Sequence, residues 1–131
     1  MNWRHFLSIL VFLPMIFAGC ASTAERQAEQ AKIHKMAETH VLLGSGYLQR
    51  GQLEVAKEEL EKALKISPNH SQANNIMAVL QWRLKDYEKA ERHFLKALAS
   101  DDKNASAQHN YGAFLCDRGN IDEGLRYFDA A

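Results

Sequence analysis

Residues 77–98 read MAVLQWRLKDYEKAERHFLKAL, and residues 43–64 read LGSGYLQRGQLEVAKEELEKAL. Set against each other at an offset of 34, the two stretches agree in kind wherever a helix pair must pack. Leu43 and Met77 are large and apolar, and Gly44 and Ala78 are small. Leu53 matches Tyr87, Ala56 matches Ala90, Leu60 matches Phe94 and Ala63 matches Ala97. A third copy continues in the same register through Tyr111, Gly112, Ile121, Gly124, Phe128 and Ala131. Self-similarity at such a period marks a stacked array, in which each unit buries its apolar face against the next.

The spacing within each copy specifies helices. Leu53, Ala56, Leu60, Ala63 and Leu64 recur at intervals of three and four, as do Tyr87, Ala90, Phe94, Ala97 and Leu98. Each set forms one apolar stripe on an α-helix. Gly44, Ala78 and Gly112 leave room for a partner helix to approach, and the large residues at 60, 94 and 128 fill the space beside that contact. Glu58 with Lys62, Glu61 with Lys65 and Glu88 with Arg92 pair at i,i+4 on the outer faces. Gly51-Gln52, Lys85-Asp86 and Gly119-Asn120 break the helices within a pair, while Ser67-Pro68-Asn69 and Asp101-Asp102-Lys103 separate successive pairs. The expected class is all-α, a solenoid of antiparallel helix pairs.

This pattern resembles the tetratricopeptide repeat (TPR) family. Repeat one, residues 37–70, carries Leu43-Gly44, Tyr47, Ala56, Leu60, Ala63 and Pro68 at the family's positions. Repeat two, 71–104, keeps Met77-Ala78, Ala90, Phe94 and Ala97 but has Gln81 for the usual tyrosine and Asp102 for the proline. Repeat three, 105–131, has Tyr111-Gly112 and Phe128, with Leu115 and Gly124 as departures. It stops before its second helix should finish, so two full repeats and an incomplete third are expected, as in a fragment of a longer array. The resemblance implies a partner-binding groove lined by the first helix of each pair. On that geometry Val41, Leu48, Val79 and Trp82 form an apolar floor, with Asn75 and Arg83 beside it. Asn74 and Asn75 are read as fixing an extended peptide by amide hydrogen bonds, with helix-surface solvation the alternative role for at least one of them. Trp82 and Arg83 are of the residue types that anchor interfaces, although packing between neighbouring repeats accounts for Trp82 equally well.

The N-terminus reads as an address. Arg4 supplies the charge of a short n-region, and Phe6–Phe17 is apolar except at Ser8 and Pro14. Such a helix rises about 18 Å, short of the roughly 30 Å of a hydrocarbon core, so it fits the h-region of a signal peptide. Phe17-Ala18-Gly19-Cys20 resembles the lipobox of bacterial lipoproteins. The likeness implies a signal peptide over 1–19, cleavage before Cys20 and a diacylglycerol on its thiol. Residues 20–36 are then the lipidated cysteine, a tether and the start of the first helix. Ala21 follows the lipid site where aspartate would favour inner-membrane retention, which points to the outer membrane, facing the periplasm.

A lipobox, a short tether and repeats from residue 37 together resemble the type IV pilus biogenesis/stability lipoproteins, also called pilotins. The run Ala107-Gln108-His109-Asn110-Tyr111-Gly112-Ala113-Phe114-Leu115-Cys116 is similar to that family's third repeat. The resemblance implies a protein that helps the pilus secretin localise and multimerise in the outer membrane. The alternative is a general envelope scaffold recruiting cell-wall or outer-membrane assembly factors. Lys+Arg and Asp+Glu are equal at 16 each, so no basic face for nucleic acid is indicated. The six histidines form no HxxxH or HExxH pair suited to zinc, and there is no phosphate-binding glycine loop and no GxSxG elbow. Neither an enzyme, a small-molecule substrate, a metal nor a cofactor beyond the lipid on Cys20 is expected. Cys116 is the odd thiol, read either as one half of a disulfide or as a free buried cysteine.

Overall fold

The computed structural model describes residues 15–131, with side chains from Thr23 onward. The n-region, the lipobox side chains and the Cys20 thiol lie outside the described residues. Among the described residues six helices follow one another: α1 Met15–Gln49, α2 Leu53–Ile66, α3 Ser71–Arg83, α4 Tyr87–Ser100, α5 Ala105–Asp117 and α6 Ile121–Ala130. The chain divides into a unit ending at Ile33 and a repeat unit, His34–Ala131. In the first, side chains 23–33 are all exposed on a continuous helix. The stretch 20–36, expected as a tether running into a helix, is therefore helical along its length. Its run of Ala, Glu, Gln and Lys, without glycine or proline between Ala21 and Met36, has high intrinsic helix propensity. Among the described residues, no helix is long and apolar enough to cross a membrane.

In the repeat unit the helix ends repeat as faithfully as the stripes. The Gln52 amide donates to the Tyr47 carbonyl at 3.0 Å and the Gly51 amide to Leu48 at 3.1 Å, closing α1 with a Schellman motif. The same two bonds close α3, from Asp86 to Gln81 and Lys85 to Trp82, both at 2.9 Å. They close α5 from Asn120 to Leu115 at 2.8 Å and Gly119 to Cys116 at 3.0 Å. Such an end puts one residue in the left-handed region: Gly51 at φ 74°, Lys85 at φ 61° and Gly119 at φ 89°. Lys85 alone carries a Cβ there. Lys85→Gly is thus expected to raise stability by about 0.5–1 kcal/mol, seen as a higher urea midpoint at unchanged slope; a lower midpoint contradicts the strain. The starts of α3, α4 and α5 are capped by His70, Asp86 and Asn104, whose side chains accept from the amides of Ala73, Lys89 and Ala107 at 3.3, 3.2 and 3.0 Å.

Two cores result. Val41, Leu48, Leu60, Ile76, Met77 and Leu80 lead the first, where α1, α2 and α3 meet. Phe94, Tyr111, Phe114 and Leu115 lead the second, with the small Ala78 and Ala90. Val79 packs against both and joins them. Asn74 is buried as well: its Nδ2 donates to the carbonyls of Pro68 and His70 at 3.1 Å each, and its Oδ1 pairs with His93 Nδ1 at 2.9 Å. A buried amide with three partners is satisfied. It fastens the loop before α3 to α4, and is neither free for a peptide nor solvated helix surface.

Candidate functional site

The face made by α1, α3 and α5 is where a partner was expected, and the structure sorts the expected residues into two groups. Between α1 and α3 lies a hollow of about 480 Å³. Val41, Leu42 and Ile76 give it an apolar floor, and Lys35, Glu38, Thr39, Ser45 and Gln72 a polar rim. Val41 is 7% exposed, so its edge alone reaches the hollow, whereas Leu42 is 75% exposed and offers most of the apolar surface. Sequence reasoning passed over Leu42. Its counterpart at offset 34 is Ile76, another aliphatic residue, and that match was the signal available.

The remaining residues tie one repeat to the next. Leu48, expected on the floor, is 6% exposed and belongs to the first core, because the end of α3 closes over the last turn of α1. Arg83, an exposed residue, donates from Nη1 to the Leu48 carbonyl at 3.0 Å, a second bond on the oxygen that already accepts from the Gly51 amide at the end of α1. Asn75 is 1% exposed and its Oδ1 accepts from Asn110 Nδ2 at 3.1 Å, so it links α3 to α5 and does not face a groove. Trp82 is half-buried; its Nε1 donates to Asp117 Oδ2 at 2.9 Å, and its ring stands edge-on to Phe114 at 5.7 Å. Of the two readings of Trp82, packing between repeats is the one with contacts. Val79, partly buried between the two cores, serves the same junction.

Cys116 is a half-buried free thiol on α5, facing Gly124 of α6. His93 is held below the ordinary histidine value by burial first, then by Lys96 and Arg92, which keeps it neutral against Asn74. Burial likewise pushes the Tyr111 phenol well up. Glu59 is held low by hydrogen bonds from Lys62 at 2.6 Å and His40 at 2.7 Å, a link from α2 to α1.

Helix pairs stacked through such a seam define a class: repeat scaffolds that present one helical face to other proteins. The chain belongs to the tetratricopeptide repeat family, whose model matches residues 35–103. It is 35% identical over 120 residues to the type IV pilus assembly protein PilF of Pseudomonas aeruginosa, covering 89% of this chain and 48% of that protein. An uncharacterised Haemophilus influenzae protein is 28% identical over 125 residues, 95% of this chain and 68% of that one. The solved structure of the Pseudomonas PilF superposes with a TM-score of 0.73 over 76% of this chain and 45% of that one, at 35% identity. PilW, described as a widely conserved type IV pilus biogenesis factor, does so with a TM-score of 0.68 at 32% identity, over 72% of this chain and 44% of that one. The chain thus spans about half the length of these pilus proteins.

Proposed function

We propose that this protein is a pilotin, a periplasm-facing outer-membrane TPR lipoprotein that assists the type IV pilus secretin to localise and multimerise. The observation that carries the reading is the extent of the likeness to PilF. It runs over 89% of the chain, beyond the stretch that any TPR protein would match. Relatives of other kinds reach a similar identity, 30–36%, but over only 72–87 residues, against 120 for PilF. The lipobox cysteine Cys20 supports the anchor: an acyl chain contributes about 0.8 kcal/mol per buried methylene, so lipidation is what would hold such a scaffold at a membrane. The hollow floored by Val41, Leu42 and Ile76 suits an apolar side chain of a bound segment, with polar groups at the rim to fix its backbone. That arrangement is one of binding, not of bond-breaking.

The test is the level of detergent-resistant secretin multimer in outer membranes of strains with the gene intact, deleted, or carrying Cys20→Ala. Multimers are expected to be lost on deletion and to be scarce or misplaced with the unlipidated variant. Unchanged multimers and pili in all three strains would overturn the assignment and leave the general envelope scaffold as the better account.

A further inference from the structure

His34 and Glu38 lie one turn apart on α1, with His34 Nε2 3.3 Å from Glu38 Oε1. His70, which precedes α3, brings its ring over that of His34, the centroids 5.5 Å apart and the planes within 14°. One donor atom from each of the three residues lies within 4.8 Å of the other two. The Nε2 of His70 is buried and has no hydrogen-bond partner. A buried imidazole nitrogen left unpaired has a cost that a ligand would remove. We propose that His34, Glu38 and His70 bind one divalent transition-metal ion of the zinc type, clasping α1 to the start of α3. The assignment does not depend on the pilus reading.

The chemistry fits the donor set. Two imidazoles and one carboxylate suit zinc and its neighbours, whereas calcium and magnesium take oxygen ligands. Bonds of about 2.0–2.2 Å require the three donors to draw closer than they stand. His34 and Glu38 are about 60% exposed at the side chain, 63% and 59%, and are free to change rotamer. His70 is the fixed point, and burial together with the nearby His34 lowers its pKa, keeping it unprotonated for a metal. Ligation through Nε2 places the ring proton on Nδ1. The 3.3 Å bond that Nδ1 accepts from the Ala73 amide must then open, so metal binding replaces a long cap bond with a coordinate one. Glu38 and His70 also line the hollow, so the ion sits at its edge with a coordination position left for water or a partner's donor.

The test is titration of the chelator-treated full chain with zinc sulfate, followed by calorimetry and by thermal melting. One ion per chain is expected, with a rise in melting temperature as zinc is added. His34→Ala, Glu38→Gln and His70→Asn should each weaken binding at least tenfold and abolish that rise. His70→Asn removes the ligand but keeps the cap, since asparagine does this work at the equivalent position, Asn104. If it nevertheless lowers the metal-free melting temperature, the two exposed positions carry the test. Titration of the chain bearing Cys20→Ser and Cys116→Ser should give the same affinity. Absence of saturable binding, affinity within twofold of the parent in all three variants, or loss of binding with the two cysteines would each overturn the site.

Discussion

Phe94→Ala is expected to remove about 3–5 kcal/mol of stability, much of what a domain of this size has to lose. The side chain is fully buried, and its ring stands 5.5 Å from both Tyr111 and Phe114. It projects from α4 into the space where α5 arrives, at the centre of the second core. Truncation removes apolar area and also leaves a void walled by rigid rings that cannot collapse into it. The small Ala78 and Ala90 beside it offer no atoms to fill the gap. Urea unfolding followed by far-UV circular dichroism checks this, and a loss below about 1 kcal/mol would mean the second core does not depend on Phe94. Phe94→Leu supplies the comparison, because Leu60 occupies the equivalent place in the first core and is itself fully buried. It should retain most of the stability. Since repeat arrays couple mainly through nearest neighbours, the residual helix in Phe94→Ala should come from α1 and α2.

The helix pairs were legible because their packing rule is written at a fixed offset. Alanine or glycine faces a large residue at 44 and 60, at 78 and 94, and at 112 and 128, and a self-alignment at 34 exposes it. The seam between repeats is not written that way. Three of its cross-links, Leu48 with Arg83, Asn75 with Asn110 and Trp82 with Asp117, each join residues 35 apart. A polar or aromatic residue on the first helix of a pair carries the same periodicity whether it faces a partner protein or the next repeat. Only the position of the neighbouring helix decides between the two. For that reason Leu48 and Asn75 read as groove residues and proved to be buried, while Leu42, whose face no neighbour covers, was missed. The cluster of His34, Glu38 and His70 was half visible, as an i,i+4 pair. Its third member comes from a loop that sequence spacing cannot place beside α1.

Gly→Ala should change stability with opposite sign at two helical positions, and geometry alone sets the sign. At Gly124 of α6 an added Cβ would stand 2.5 Å from Cys116 Sγ, 2.7 Å from the Gly112 carbonyl oxygen and 3.2 Å from the Cys116 amide nitrogen. Two of those atoms are backbone, so no rotamer change relieves the overlap and α5 and α6 must separate. Overpacking of this kind costs about 1–3 kcal/mol. Alanine's better helix propensity, worth about 1 kcal/mol, offsets part of it. Gly46 lies inside α1, and the nearest atom to its added Cβ is Arg50 Nη2 at 3.8 Å, the far end of a flexible side chain. There the propensity gain is unopposed, and Gly46→Ala should stabilise by about 0.5–1 kcal/mol. The second repeat shows that the pair can be built wider, since Ala78 and Ala90 stand where the third has Gly112 and Gly124. The separation forced by one methyl is then already available to a second, so Gly112→Ala with Gly124→Ala should cost less than the sum of the two single changes. Urea midpoints of the four variants decide the matter. A stabilising Gly124→Ala would mean that α5 and α6 are not in the close contact described, and strict additivity would mean that each methyl meets its own obstacle.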